Sequence, residues 1–421
     1  ALQDLGQQDE ALTSCGKALA IKPDYVEAHF NLGNSFKELG KLDEAVASYN
    51  KAITIKPDFT DAHNNLGNAL RELGKLEDSV ASYRKALDIN PDYVEAHSNL
   101  VWALTASLDM TALDIKEQHL LWDKQHSYPI HARKTHHDIN LDPDRPLRIG
   151  VISPEFCRHV VGYAVIKLFE NYNHLDFELY CYSQGTISDD YTERFKQSCS
   201  SWLDVFNLSD EELANHIVTD RIDILIHTAG HTAGSRLKAM SLKPAPIQIS
   251  WPGYIETTGV SAIDYMIGDH YITPLGCEDL YSEKILRLPD NIVCVDTPTH
   301  GITVGTLPAL QNGCMTFGCF NNPVKINSEV ISVWSKVLDA LPTSIRNSTV
   351  LTGNDLGILG NSEKIPTEEE VREFIKLGID KCPHIDVANK ENTQKQAQDM
   401  LQKGIVFDAF RLLLAIDLMN I

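Results

Sequence analysis

Residues 21–54 read IKPDYVEAHFNLGNSFKELGKLDEAVASYNKAIT, and residues 55–88 read IKPDFTDAHNNLGNALRELGKLEDSVASYRKALD. The two stretches are identical at 21 of 34 positions. A third copy begins at residue 89 with INPDYVEAHSNL, and residues 5–20 form an earlier partial copy. Repetition at a fixed period of this length is typical of stacked helical pairs, because one pair cannot bury its apolar face alone.

Glycine and proline mark the boundaries inside each copy. The glycine of LGK, at Gly40 and Gly74, predicts that the first helix ends in a left-handed turn. The proline of KPD or NPD cannot continue a helix and predicts the end of the second one. We therefore expect a tetratricopeptide array over residues 1–106, which is a module for protein interaction.

One asparagine recurs at the same position of each copy, as Asn31, Asn65 and Asn99. An amide offers both donors and an acceptor, so a row of them can bind the backbone of an extended peptide. The alternative is that these side chains cap or bridge helices within the array. Both interpretations stay open at the level of the sequence.

A helical linker is expected over residues 107–146. Histidine is frequent there, but its spacing is irregular for metal ligands, so we interpret the tract as a solvated part of the linker. These histidines are His126, His131, His136 and His137.

From residue 147 the pattern changes to short apolar strands that alternate with helical segments. Strands are expected at 147–153, 177–183, 222–227 and 245–251, with helices near 162–173, 188–198 and 209–219. This alternation predicts a parallel sheet in an α/β domain, which we place at residues 147–310. The expected fold class is thus an α-solenoid followed by an α/β region.

Three unusual loops follow expected strands: SPEFCRHVVGY after 147–153, HTAGHTAGSR after 222–227 and PGYIETTGVSAIDY after 245–251. Ligand sites of parallel sheets form beyond the carboxyl ends of the strands. Glycines such as Gly230 and Gly253 let backbone amides approach a ligand closely. Ordinary strand-to-helix turns would explain one such loop, whereas three at successive strand ends favour a site.

The composition excludes several classes of function. A net charge of −21 and a pI near 5.1 argue against non-specific binding to nucleic acid or to anionic membranes. The chain contains no run of 18 uncharged apolar residues, so no transmembrane helix is expected. Nine scattered cysteines without a CxxC motif predict free thiols in a reducing compartment and no zinc site.

Four segments follow the repeats in this order: GVISPEFCRHVVGY, HTAGHTAGSRLKAMSLKPAPIQISWPGYIETTGVSAIDYMIGD, YSEKILRLPD and FGCFNNPVKINSEVISVW. Together with the repeats, over about residues 1–345, they resemble the O-linked N-acetylglucosamine transferase/SPINDLY family. The resemblance implies two facing Rossmann-like domains (the GT-B arrangement) behind a tetratricopeptide superhelix. It implies inverting transfer of a sugar from a nucleotide sugar to Ser or Thr of cytoplasmic and nuclear proteins. No metal and no cofactor would be required, and the protein substrates would bind along the asparagines of the repeats.

The resemblance also implies roles for individual residues. His159 matches a family histidine beside the acceptor and the donor sugar, where it would orient or deprotonate the acceptor hydroxyl, although the following proline is Val160 here. Lys325, with Asn322 before it, would contact the nucleotide diphosphate and stabilise the leaving group. The sugar and acceptor pocket would involve four residues of the strand-end loops: Gly230, Gly253, Tyr254 and Thr257.

The family pattern fades after residue 355, and the Thr-rich phosphate loop of the second Rossmann-like domain is not recognisable. Residues 311–421 are therefore expected to form a partial second domain with a divergent tail. UDP-N-acetylglucosamine is the expected donor. The alternatives are GDP-fucose, which SPINDLY-type members use, and a catalytically inactive interaction protein. A homo-oligomer formed through the repeats is a further expectation.

Overall fold

The computed structural model describes residues 8–134, 142, 145–296 and 328–340. These residues belong to two compact units. One unit comprises the described parts of Ala1–Pro57, Ala69–Lys75 and Ile302–Ile421, and the other comprises Asp58–Asn68 and the described parts of Leu76–Gly301. The expected sheet lies entirely in the second unit.

The repeats form helices in the order that the sequence predicts. Ahead of the sheet, the described helices are α1 (Gln8–Ile21), α2 (Val26–Glu38), α3 (Leu42–Ile55), α4 (Thr60–Glu72), α5 (Leu76–Ile89), α6 (Val94–Leu104) and α7 (Ala112–His126). Gly40 and Gly74 have φ values of 71° and 74°, which confirms the predicted left-handed turns. After these glycines, the amides of Lys41 and Lys75 donate to carbonyls five residues back, as in a Schellman motif.

The same side-chain contact recurs once in each of two successive repeats. Tyr49 Oη donates to Asn34 Oδ1 at 2.7 Å, and Tyr83 Oη donates to Asn68 Oδ1 at 2.7 Å, 34 residues further along. Both tyrosines are fully buried. The sequence period is thus also a period of the packing.

The second unit contains a seven-stranded, fully parallel sheet with the order β3-β2-β1-β4-β5-β6-β7. The strands are β1 (Leu147–Ser153), β2 (Phe177–Ser183), β3 (Ser201–Asp204), β4 (Ile224–His227), β5 (Ile247–Ser250), β6 (Tyr265–Gly268) and β7 (Lys284–Arg287). The connecting helices are α8 (Val160–Asn171), α9 (Asp190–Ser198), α10 (Asp210–Thr219) and α11 (Leu237–Ser241). The prediction of a parallel α/β sheet is confirmed.

Successive residues of β1 point to opposite faces of the sheet, and each face has its own core. Val151 packs with apolar residues of α8 and α9 on one face, such as Phe169. Ile152 packs on the other face with α10 and α11, and this second core also contains Val101 of α6 and Trp122 of α7. The last repeat helix and α7 therefore belong to the core of the sheet domain.

Helix α12 (Ser328–Ala340) is the remaining described element of the first unit. Apart from this helix, the expected partial second domain at residues 311–421 lies outside the described residues. Within the part of the chain that the structure describes, no helix is both long and apolar enough to cross a membrane.

Candidate functional site

The carboxyl ends of all seven strands meet at one edge of the sheet, because every neighbouring pair is parallel. The strand order reverses between β1 and β4, and in such sheets a ligand crevice opens at this switch point. The loops after β1, β4 and β5 leave from three adjacent strands. The three loops that the sequence singles out therefore lie side by side, as predicted.

His159 lies at this edge as the N-cap residue of α8, and its side chain is exposed. Its Nδ1 accepts a hydrogen bond from the backbone N–H of Val161 at 3.3 Å. In a neutral imidazole the other ring nitrogen then carries the proton. The exposed imidazole therefore offers Nε2–H as a hydrogen-bond donor.

A buried carboxyl group, which the sequence analysis did not single out, lies next to this position. Ser153 Oγ donates to Glu155 Oε2 at 3.0 Å, and Thr228 Oγ1 donates to the same oxygen at 2.6 Å. Burial raises the pKa of Glu155, while the two hydroxyl donors and the charge of a protonated His159 act in the opposite direction. An acidic residue two positions beyond a strand end is the signal that could have identified it.

The loop after β4 folds tightly around His227, which is fully buried. Burial lowers the pKa of His227 to about 3, so the ring is neutral and accepts at one nitrogen only. The amides of Gly230 and Arg236 lie 3.2 Å from Nδ1 and Nε2, respectively, so only one of these contacts is a hydrogen bond.

Two of the predicted pocket glycines lock the neighbouring loops together. Gly230 has φ of 52°, and a Cβ there would lie 2.2 Å from Cγ of Tyr254. A Cβ on Gly253 would lie 2.6 Å from the carbonyl oxygen of Thr228. The glycines thus permit the loop after β4 to pack directly on the loop after β5.

The side chains of Tyr254 and Thr257 are buried and support the loop from inside. Tyr254 Oη donates to His119 Nε2 at 2.7 Å, across 135 residues of sequence. Thr257 Oγ1 donates to Glu283 Oε2 at 2.6 Å, and the amide of Thr258 donates to Glu283 Oε1 at 2.8 Å. These bonds fix the course of the loop after β5.

Behind the loops lies a cluster of rings, of which His119, His126, His231 and Trp122 are buried and His97 is half-buried. The ring of His119 packs edge-on against the ring of His231, with 5.0 Å between the ring centroids. The ring of Trp122 also packs edge-on against His231 at the same distance. The Nδ1 of His97 and the Nε2 of His126 are 2.9 Å apart. Burial lowers the pKa values of His97, His119 and His126 to about 4, so the cluster is uncharged at neutral pH.

The expectation that His126 belongs to a solvated linker is wrong. Only 6% of His126 is exposed, because α7 packs into the core of the sheet domain. His131 is exposed, as expected, while His136 and His137 lie outside the described residues. Among the described residues, no group of three or more His, Cys, Asp or Glu side chains is arranged to hold a metal.

Helix α6 of the last repeat is bonded directly to the site loops. His231 Nε2–H donates to the carbonyl oxygen of Thr258 at 2.8 Å, and the Ser98 hydroxyl lies 3.4 Å from His231 Nδ1. Ser98 is the neighbour of Asn99 in the sequence. The array therefore reaches the strand-end loops through side-chain contacts.

The three recurring asparagines have different surroundings. Asn31 on α2 is exposed, Asn65 on α4 is half-buried, and Asn99 on α6 is buried. Asn99 Nδ2 donates to Asn64 Oδ1 at 2.9 Å, and Asn64 Nδ2 lies 3.3 Å from Asn65 Oδ1. In the last repeat the amide is thus already engaged within the array. Asn322 and Lys325, the expected diphosphate contacts, lie outside the described residues.

Comparisons with known proteins agree with this architecture. The profile of glycosyl transferase family 41 matches residues 90–300, and TPR repeat profiles match 1–40, 33–74 and 67–100. A lysine-to-methionine variant of the O-GlcNAc transferase of Thermobaculum terrenum superposes with a TM-score of 0.79. The two are 31% identical, and the match covers 90% of this chain and 70% of that one.

Two curated relatives come from Arabidopsis thaliana. One is named "Probable UDP-N-acetylglucosamine--peptide N-acetylglucosaminyltransferase SPINDLY" and is 36% identical over 219 residues, which are 51% of this chain and 24% of that protein. The other has the same name with SEC in place of SPINDLY and is 31% identical over 207 residues. These residues are 47% of this chain and 21% of that protein. The chain spans about a quarter of the length of the curated relatives it matches.

Helical repeats joined to a doubly wound parallel sheet, with these matches, define a repeat-bearing glycosyltransferase fold of the GT-B type. The chain belongs to glycosyl transferase family 41. The fold class and the family resemblance read from the sequence are thereby confirmed. The domain boundaries and the roles of the site residues stay predictions.

Proposed function

We propose that this chain is part of a protein O-glycosyltransferase that transfers N-acetylglucosamine from UDP-N-acetylglucosamine to Ser or Thr hydroxyls. The acceptor oxygen would bond to the anomeric carbon from the side opposite the diphosphate, and the bond from that carbon to the diphosphate would break. The configuration would therefore invert. The hydroxyl proton would pass to a base or to the departing diphosphate.

The observation that carries the proposal is the pairing of an exposed imidazole with a buried carboxyl group at the switch point of the sheet. His159 caps α8 at the end of the β1 loop, and Glu155 lies behind it, held by two hydroxyl donors. Burial raises the pKa of Glu155 above its ordinary value, which favours the form that holds a proton. The pair thus offers an orienting donor and a proton-exchanging group at one edge.

For His159, the N-cap bond favours orientation over direct proton removal. Because Nδ1 accepts from Val161, Nε2 is protonated in the neutral ring and can only donate to the acceptor or the sugar. Acting as a base at Nε2 would require the other tautomer and the loss of this cap. We therefore assign His159 the role of positioning an oxygen atom in the crevice.

The remaining parts of the proposal rest on the family. Lys325 and Asn322 would bind the diphosphate, and a fixed ammonium group there would stabilise the charge that develops on the leaving group. Protein substrates would bind along the repeats, where Asn31, Asn65 and Asn99 recur at one position of each copy. The reaction would need no metal or cofactor, and cytoplasmic or nuclear localisation stays a prediction.

The test is transfer of radiolabelled sugar to proteins by the full chain, with UDP-N-acetylglucosamine and GDP-fucose as parallel donors. His159→Ala should lower kcat/KM by about 10²-fold, as expected for a lost acid–base or orienting contact. The matched control is His174→Ala, because His174 is another exposed histidine and precedes β2 at the opposite edge of the sheet. The control should retain activity within about twofold of the unmodified chain.

Each result assigns a different function. Transfer from UDP-N-acetylglucosamine that depends on His159 supports the proposal, whereas transfer from GDP-fucose alone assigns an O-fucosyltransferase. Equal activity in both variants would refute the role of His159. No transfer from either donor would leave the inactive interaction protein as the better description.

A further inference from the structure

His119 on α7 lies behind the strand-end loops and is fully buried. Its Nδ1–H donates to the carbonyl oxygen of Ile115, one helical turn earlier, at 2.7 Å. This bond leaves Nε2 unprotonated, and Nε2 accepts from Tyr254 Oη at 2.7 Å. The helix thereby fixes both the tautomer and the orientation of the ring, which is the usual way a buried imidazole is made directional.

Tyr254 is the point at which this contact acts on the proposed sugar pocket. Its ring lies against Gly230, where a Cβ would be 2.2 Å away, so it has no room to move towards the loop after β4. Its neighbour Gly253 is also tightly packed, because a Cβ there would lie 2.6 Å from the carbonyl oxygen of Thr228. The position of the Tyr254 hydroxyl therefore determines where the backbone of residues 251–254 runs.

The same helix contacts the far end of the loop. Gly259 has φ of 72°, and a Cβ there would lie 2.4 Å from the backbone of His119. His231, which packs edge-on against the His119 ring, donates to the carbonyl of Thr258 at 2.8 Å. The segment 251–259 is thus held against α7 at Tyr254 and again at residues 258–259.

We propose that His119 is a positioning residue of the transferase site: through its bond to Tyr254 it holds the loop 251–259 in the conformation that presents Gly253 to the donor sugar. The inference rests on the proposed function. His119 contacts no reacting atom in this arrangement. It acts through Tyr254, and its loss would leave the tyrosine hydroxyl buried without its acceptor, a state that costs far more than the bond itself contributes.

The test compares three variants of the full chain by amide hydrogen exchange. His119→Phe removes the acceptor and keeps a ring, whereas His119→Gln keeps an acceptor close to the place of Nε2. Tyr254→Phe breaks the same bond from the other side and serves if the histidine variants fold poorly. Residues 42–55 of α3, which belong to the other compact unit, are the internal control.

We expect His119→Phe and Tyr254→Phe to speed exchange of residues 251–259 by about tenfold or more, with α3 unchanged, since local opening depends on local contacts. His119→Gln should restore most of the protection. The double variant His119→Phe/Tyr254→Phe should be no worse than either single variant, because both remove one bond. Unchanged exchange at 251–259, or an equal increase across the chain, would overturn the proposal.

Sugar transfer gives the second readout. His119→Phe should lower kcat/KM for the donor by about tenfold, and His119→Gln should recover it, whereas a residue needed only for folding would change the amount of active protein and not KM. If the unmodified chain transfers no sugar, the proposed function fails and with it the link to a donor. The exchange experiment, which needs no donor, still decides whether His119 holds the loop.

Discussion

Replacing Gly230 by alanine tests whether the two loops depend on their close contact. The residue has φ of 52°, a left-handed conformation that residues with a Cβ adopt at a cost of roughly 1–2 kcal/mol. The new Cβ would also lie 2.2 Å from Cγ and 2.3 Å from Cβ of Tyr254. These atoms lie at the root of the side chain, whose hydroxyl is held by His119, so rotation of the ring cannot relieve the clash.

The steric part can be separated from the backbone part with a matched glycine. Gly276 also has positive φ, at 92°, but a Cβ there would meet nothing within 4 Å. Gly276→Ala should therefore lower the free energy of unfolding by the backbone cost alone, about 1–2 kcal/mol. Gly230→Ala adds an overpacking cost of about 1–3 kcal/mol, which gives about 2–5 kcal/mol in total.

Urea unfolding of the two variants and the unmodified chain, followed by tryptophan fluorescence, provides the measurement. Equal slopes with different midpoints would show that the difference arises in the folded state. If both variants lost the same stability, the contact between Gly230 and Tyr254 would carry no energetic weight. The glycines would then not determine how closely the two loops pack.

Two further predictions concern pH and the repeats. Burial lowers the pKa of His119 to about 4, below the ordinary value of about 6.5, so the unfolded chain binds the proton more readily and stability falls as pH falls from 6.5 towards 4. Between pH 6.5 and 5, the unmodified chain should lose about 2 kcal/mol more unfolding free energy than His119→Gln does. Denaturant unfolding at each pH measures this difference, and parallel curves of stability against pH would refute the prediction. In the repeats, Tyr83→Phe removes the bond to Asn68 and should lower stability by about 1–2 kcal/mol in thermal or urea unfolding, whereas an unchanged midpoint would contradict the contact.

The repeats could be predicted in detail because their information is local and is written more than once. A glycine at residue 40 and again at residue 74 specifies a left-handed helix end in each copy, whatever the rest of the chain does. The strands β1 and β2 could also be predicted from the sequence, since each is a seven-residue run with β-forming residues.

Three strands were not predicted, and their composition explains why. β3, β6 and β7 have four residues each, as β4 and β5 do, but their sequences SWLD, YMIG and KILR lack the paired isoleucines of ILIH and IQIS. They become strands because a growing sheet supplies neighbours, which is a tertiary effect on β propensity. Short strands at the margins of a sheet are where sequence patterns carry least information.

The chemistry of the site was predicted only where the residues that matter are close in sequence. The three loops follow their own strands, so their meeting at one edge follows from the parallel topology alone. The contact of His119 with Tyr254 joins residues 135 positions apart, and no local pattern links them. Glu155 likewise accepts a hydrogen bond from Thr228, which follows a different strand and is 73 residues away in the sequence.

The contact between Ser98 and His231 ties the last repeat helix, α6, to the loop after β4. Val101 of the same helix lies in the core of the sheet domain. A substitution that displaces α6 would therefore disturb both that core and a loop at the carboxyl ends of the strands. Mutations in this helix act on the sheet domain as well as on the repeats.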